Sequence, residues 1–486
     1  MRVMATTRPA RNTVGGRRQK LNLLDRSWLL VDRARTPMHV GCLAVLSVPT
    51  DASADLVAGM VEQMRQATDY VRPFNLRLRP GRLKSLLPRW EELPADSIDL
   101  DYHVRHSILA PPGGERELGV VVSQLHSRPM DMSRPLWECH VIEGLAGGRF
   151  AVYFRVHHAT LDGVALMRRM QRMFSADPAH DLAPVWVARS QRRRRARDGA
   201  TGSQGGGPGA LPGRVAFGLK AARSVAATVA GLEMERQRRR HPGPHGATPF
   251  GAQRSILNRR VTERRRVATE SMDVGFVKQV ADAAGATVND VFLTICSAAL
   301  RRYLAELGTL PDLDLTAGTP VDLRDSGDGS AGNAFSMMLV NLHTQLVGPV
   351  ARMHAVRASA EHAKNKLWEL PKVVRDNYGA LLLAPYMAQL VLGLGGRGRP
   401  PFNVILSNIR APDEAMYLGG ARLELCYPMS LVTDGQALSI TVLSAGGRFD
   451  IGFVGCPDTL PHLQRIALYS AAALRELAAA LDVPAP

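Results

Sequence analysis

Between Pro184 and Arg260 the sequence stops alternating apolar and polar stretches and turns to Arg, Gly and Pro. Arg192 to Arg195 form one basic block, Gly202 to Gly213 is rich in Gly and Pro, and Arg238 to Arg240 end a second block. A stretch of this composition does not bury enough apolar surface to offset the entropy of ordering it. It therefore divides the chain into two folded halves. Length agrees, because 486 residues exceed the roughly 250 to 300 at which a single core stops growing. The expected organisation is a disordered basic tail over 1–20, a first domain over 21–181, a linker over 182–265 and a second domain over 266–486.

Both halves mix the periods of helix and strand. In the first, Val40 to Val48 and Phe150 to Val156 read as strands and Ala54 to Ala67 as a helix. In the second, elements resume with Val274 to Ala284, Asn289 to Leu307, Leu313 to Pro320 and a long helical stretch before Leu370, and strands follow near Phe402 to Leu406 and Ala437 to Val442. The first half reads as an α/β or α+β domain and the second as α/β, so the fold class expected is α/β, with no short repeat to suggest a solenoid or propeller. Within the linker, Arg214 to Glu235 puts Val215, Leu219, Ala222, Ala226 and Val229 on one helical face. That pattern suits a short exposed helix packed on its own protein, with a basic amphipathic helix at a membrane surface as the alternative. Gly379 to Gly396 is uncharged for 18 residues, but Pro385, Gln389 and Gly393 oppose a membrane span and a core helix is expected.

A formal charge of +17 names nucleic acid, an anionic membrane or a polyanionic small molecule as partners by charge alone. Nucleic-acid binding is not expected, since aromatics are 5% of the chain and none stands beside the Arg blocks. The five cysteines are widely spaced and form no C-x-x-C pair, so neither a disulfide framework nor a zinc site is expected. With no apolar run in the first twenty residues, a cytoplasmic protein is expected, held at the inner face of the membrane or on lipid droplets by its basic linker.

Chemistry is most concentrated at Phe150 to Asp162, where an alternating strand meets His157 and His158 and then the helix-like Val164 to Phe174. If strand geometry persists, Val152, Phe154, Val156 and His158 share the apolar face, and Tyr153, Arg155 and His157 the other. An imidazole ending a buried face stays neutral near pH 7, because burial lowers a pKa of about 6.5. His158 is thus suited to take a hydroxyl proton as a general base, and His157 is structural. Asp162 has two structural readings, as a cap of the helix beginning at Gly163 or as an anion held by a buried cation. Gly163 is read as permitting tight backbone geometry. A metal site is not expected, since neighbours on a strand point apart. No G-x-S-x-G elbow is present, and Cys139 and His140 would face opposite ways on a strand, so no covalent nucleophile is expected.

His157 to Gly163 matches the H-H-x-x-x-D-G signature of acyltransferases with the chloramphenicol acetyltransferase type of fold. Pro37 to Gly41, Pro135 to Trp137, Asn289 with Asp290, Thr319 to Arg324, Gly332 with Asn333, and Asn403 to Pro412 further resemble motifs of bacterial wax ester synthase/diacylglycerol acyltransferases. The resemblance implies two chloramphenicol acetyltransferase-like subdomains packed as a pseudo-dimer, with a channel between them. It implies direct transfer from acyl-CoA, as substrate, to diacylglycerol or a long-chain alcohol, with His158 as base and no cofactor. It also places Asn289 and Asp290 near the active site and makes Arg324 the partner of Asp162 across the halves. Asn289 and Asp290 read equally as helix N-caps. The family usually carries Pro and Gly where Arg410 and Ala411 stand. Two other functions compete: a related acyltransferase acting on a cell-envelope or secondary-metabolite alcohol or amine, and a non-catalytic basic binding protein.

Overall fold

In the computed structural model, which describes residues 18–21, 23–79, 88–187, 246–322, 335–411 and 413–485, each half builds around a six-stranded sheet. The first half runs β1 (Arg18–Lys20), α1 (Leu23–Val31), β2 (His39–Ser47), α2 (Leu56–Gln66), β3 (Leu76–Arg79), β4 (Arg89–Glu92), α3 (Leu100–His103), β5 (Val104–Ile108), α4 (Glu115–Ser127), β6 (Trp137–Leu145), β7 (Arg149–His157) and α5 (Gly163–Met173). The second runs β8 (Arg266–Asp273), α6 (Val274–Ala283), α7 (Val288–Glu306), β9 (Thr316–Asp322), β10 (Phe335–Asn341), α8 (Pro349–Trp368), α9 (Lys372–Val391), β11 (Val404–Arg410), β12 (Tyr417–Leu418), β13 (Ala421–Met429), β14 (Leu438–Ala445), β15 (Arg448–Gly455) and α10 (Gln464–Ala480). The expected tail gives way at Arg18 to strand β1, which pairs with β4. Most of the linker, its candidate helix at 214–235, Arg324, Gly332, Asn333 and Pro412 lie outside the described residues.

The two sheets are ordered β12-β13-β2-β7-β6-β5 and β10-β9-β11-β14-β15-β8. The first is not made by its own half alone, because β13 pairs antiparallel with β2 from Arg422↔Ser47 to Met429↔Gly41. Sequence periodicity identifies such a strand but not its partner. Where the sheets meet, a Cβ on Gly452 of β15 would stand 2.0 Å from the Pro428 carbonyl oxygen of β13, so only glycine admits this approach. Beside it, the Asp450 carboxylate accepts from the Cys426 N–H at 2.7 Å.

Both faces of β7 are buried, although its alternation suggested one apolar inward face. Val152, Phe154 and Val156 pack against α2 and α5, while Tyr153, Arg155 and His157 are also under 3% exposed. Arg155 is held on that second face by Glu138 at 2.9 Å and by the Leu125 and Arg128 carbonyls at the end of α4, both at 2.6 Å. A cation at a helix C-terminus satisfies carbonyls that lack an intrahelical partner. The linker's flanks belong to the cores: Trp186 stacks on Trp137 at 4.7 Å, and Asn258 Nδ2 donates to the Phe402, Asn403 and Gly435 carbonyls. Fully burying a large apolar side chain stabilises by roughly 1.5–3 kcal/mol, which Trp137, Trp186 and Leu257 all draw on.

No single described helix is long and apolar enough to cross a membrane. The uncharged run from Gly379 contributes the second half of α9, with Leu382, Tyr386 and Leu390 buried and Val391, Leu392 and Leu394 exposed.

Candidate active site

Strand geometry ends at His157, one residue earlier than the sequence suggests. The ladder with β2 closes at His39↔His157, and one further bond, His158 N–H to the Met38 carbonyl at 2.8 Å, carries His158 to the sheet's edge. The Thr160 and Leu161 N–H groups then turn back to the His157 carbonyl. The Asp162 carboxylate accepts from the Ala165 N–H at 2.6 Å and so caps α5. Asp162 has a further interaction, and its expected partner Arg324 lies outside the described residues.

The His158 ring meets a cavity of about 200 Å³ lined by both halves. From the first half come Trp28 on α1, Val40 and Gly41 on β2, and Asp162 to Val164, Leu166 and Met167 at the start of α5. The second half contributes Pro320 and Val321 on β9, Leu383 on α9, Ile405 and Ser407 to Ile409 on β11, Pro428 to Leu431 at the end of β13, and Thr441 on β14. The lining is mostly apolar, and the hydroxyls of Ser407 and Thr441, paired across β11 and β14, are among its few polar groups. A long hydrocarbon needs such a dry, shaped path.

Burial holds His158 well below the ordinary imidazole range, at about 4; the Asp162 carboxylate opposes this, and the neighbouring His157 adds to it. Near pH 7 the ring is therefore a neutral base. Its Nδ1 is buried against the residue's own backbone, and the ring forms part of the cavity lining. The Trp28 ring lies 4.3 Å from it, tilted by 33°, and restricts how the imidazole can turn. Sequence reasoning missed Trp28; its only signal was a large aromatic in a short amphipathic helix just before the Pro37 motif.

His157 faces away from the cavity and is 1% exposed. Its Nδ1 accepts from the Ala159 N–H at 3.1 Å, so the proton sits on Nε2, directed at Asp32 Oδ2 3.6 Å away. Asp32 in turn accepts from the Met38 N–H at 3.0 Å. The second histidine thus reaches the cavity, and the first ties the loop carrying it to both neighbouring segments.

Gly163 differs from expectation. It lacks a left-handed backbone angle, and a Cβ there would meet nothing within 4 Å, because it faces the cavity. Its contribution is room rather than turn geometry. Gly41 is constrained by packing, since a Cβ would lie 2.9 Å from the Tyr153 ring.

The cap of α7 is Thr287, two and three residues before the expected pair. Asp290 completes the capping box, accepting from the Thr287 N–H at 2.9 Å and hydroxyl at 2.7 Å. Asn289 instead touches the cavity wall, its Oδ1 accepting from Asn408 Nδ2 at 3.2 Å. The two members of one motif therefore divide: Asp290 holds the helix, and Asn289 orients a cavity residue. Cys139 is buried in the apolar core with its thiol pushed up to about 12, far from a usable thiolate. His140 on the opposite face is bound to Glu138 at 2.9 Å. Among the described residues, no three His, Cys, Asp or Glu side chains converge as metal ligands would.

A search for relatives agrees with this architecture. A protein of Mycobacterium tuberculosis named as a putative diacylglycerol O-acyltransferase is 39% identical, over 95% of this chain and 97% of its own. The solved structure of a wax ester synthase/diacylglycerol acyltransferase from Marinobacter aquaeolei VT8 superposes with a TM-score of 0.74 at 34% identity, over 96% of this chain and all of that one. The first condensation domain of the CDA synthetase shares the fold alone, at a TM-score of 0.57 and 17% identity over 97% and 98% of the two chains. Residues 21–292 match the wax ester synthase/diacylglycerol acyltransferase catalytic domain and residues 331–478 the C-terminal domain of the same family, so the chain belongs to that family.

Proposed function

We propose that the chain transfers a long-chain acyl group from acyl-CoA to the hydroxyl of diacylglycerol, giving triacylglycerol, and to long-chain alcohols, giving wax esters. The observation that carries this reading is a neutral imidazole opening on an apolar cavity between two halves. His158 Nε2 takes the acceptor's hydroxyl proton as the oxygen attacks the thioester carbonyl. The tetrahedral intermediate then expels the coenzyme A thiolate, which recovers the proton from the imidazolium. Every bond change lies between the two substrates, so neither acyl-enzyme nor cofactor is required. Positioned proton transfer of this kind contributes roughly 10² to 10⁴ fold. His158→Ala should lower kcat by that factor with palmitoyl-CoA and either dioleoylglycerol or hexadecanol, while leaving the melting temperature nearly unchanged. Undiminished turnover in the variant would refute the mechanism.

Acceptors of this kind collect in membranes and lipid droplets, and the Arg blocks of the linker offer an electrostatic hold on an anionic surface. That charge supports peripheral attachment on the cytoplasmic side. Because Leu257, Asn258 and Val261 are core residues, the fitting test deletes 188–245 only. Sedimentation with phosphatidylglycerol vesicles should fall on deletion and in high salt; equal binding by both proteins would exclude the linker.

A further inference from the structure

The arginines at the far end of α5 take no part in the chemistry above, yet they continue the face that does. Val164, Arg168 and Arg172 are spaced four residues apart and so lie on one side of the helix. Val164 lines the catalytic cavity, whereas Arg168 and Arg172 line a separate open groove of about 430 Å³ that also includes Gln171, Ser175 and Glu414. Strand β11 makes the same passage from cavity to groove. Ile409 lines the cavity, and the carbonyl of the next residue, Arg410, accepts from Gln171 Nε2 at 3.5 Å.

Positive charge is crowded here. Arg172 and Arg410 are both exposed. The guanidinium of Arg169, over the Phe74 ring at 5.4 Å, is held below its usual range by burial and then by the charge of Arg172. Like charges gathered at a groove, with Glu414 as a carboxylate in its lining, favour an anionic ligand presenting several phosphate oxygens to guanidinium forks.

We propose that this groove binds the phosphates at the nucleotide end of the acyl-CoA donor. The pantetheine arm then runs along the Val164 face of α5 into the cavity at His158. Val164 to Arg172 covers about 12 Å of helix axis at 1.5 Å per residue, a span within the reach of that arm. Arg168, Arg172 and Arg410 are donor-binding residues, and their task is separate from the chemistry at His158. The acyl-CoA reading above is the premise.

The full-length R172E/R410E variant tests it, since both side chains are exposed and the fold should be unaffected. With dioleoylglycerol as acceptor, the KM for palmitoyl-CoA should rise at least about tenfold on loss of two charge-assisted contacts, whereas the KM for palmitoyl-pantetheine, which lacks the nucleotide and its phosphates, should not move. In calorimetric titration the wild-type chain should bind adenosine 3′,5′-bisphosphate and the variant should not. An equal change in KM for both donors, or none for either, would overturn the assignment, as would bisphosphate binding that is absent from both proteins or equal in both. If the wild-type chain used neither donor, the acyl-CoA reading would fall, and the bisphosphate titration would still decide the groove.

Discussion

The acid side of the pH profile tests the site most sharply. An ordinary histidine of pKa about 6.5 is only about 9% neutral at pH 5.5, whereas His158, held by burial at about 4, remains almost wholly neutral. The two cases differ by about tenfold in active base at that pH. Initial rates should therefore give kcat/KM values that change by less than about twofold between pH 8 and pH 5.5. A dithiodipyridine readout of released coenzyme A works across this range. Stability runs against this plateau and must be followed alongside. Burial depresses His39, and lowers His103 to about 4 and His126 to about 3, so each stays neutral in the fold while the unfolded chain protonates near 6.5. Their contribution is fully present above about pH 6.5 and is lost as pH falls toward the folded values, at up to about 1.4 kcal/mol per pH unit for each. Three such groups approach about 4 kcal/mol per unit, a large part of an ordinary domain's 5–15 kcal/mol. The expected order on acidification is persistent activity first and cooperative unfolding near pH 5 second. A tenfold fall in kcat/KM with a midpoint near 6.5, in protein whose near-ultraviolet circular dichroism is intact, would show that His158 is not the buried base described here.

His157→Ala would leave the Ala159 N–H without its acceptor and Asp32 facing a void; urea unfolding should show a loss of about 1–3 kcal/mol together with reduced kcat. His157→Asn, whose side-chain oxygen can replace Nδ1 as acceptor, should recover part of both, and no recovery would argue against the tautomer assigned. Asp290→Ala removes both capping bonds to Thr287 and should cost about 0.5–2 kcal/mol in the same measurement, with KM for either substrate unmoved. Asn289→Ala should do the reverse, shifting KM through Asn408 with little change in stability; a KM effect confined to Asp290 would invert these roles.

Much of the fold, and the end of the strand at which His158 stands, were legible in the residues themselves. Alternation located β2 and β7, helical spacing located α2, α6 and α7, and the run of Arg, Gly and Pro separated two α/β halves. All of these are local regularities that backbone geometry imposes on any chain. Distance hid the rest. The capping oxygen of α7 stood at Thr287, just ahead of the residues the motif emphasised. Gly163 read as a turn residue because nothing local reveals a neighbouring void.

The sequence by itself determined that this chain is a two-part α/β protein and that an imidazole, His158, stands at the end of a buried strand, because both follow from periodicity and from the desolvation of a group on an apolar face. Only the tertiary structure decided what surrounds that imidazole. Trp28, Ser407 and Thr441 are far apart in the chain, and β13 enters the sheet of the other half, bringing Pro428 and Met429 to the cavity. Contacts of this kind depend on which surfaces pack together across hundreds of residues, and no short window of sequence encodes that choice.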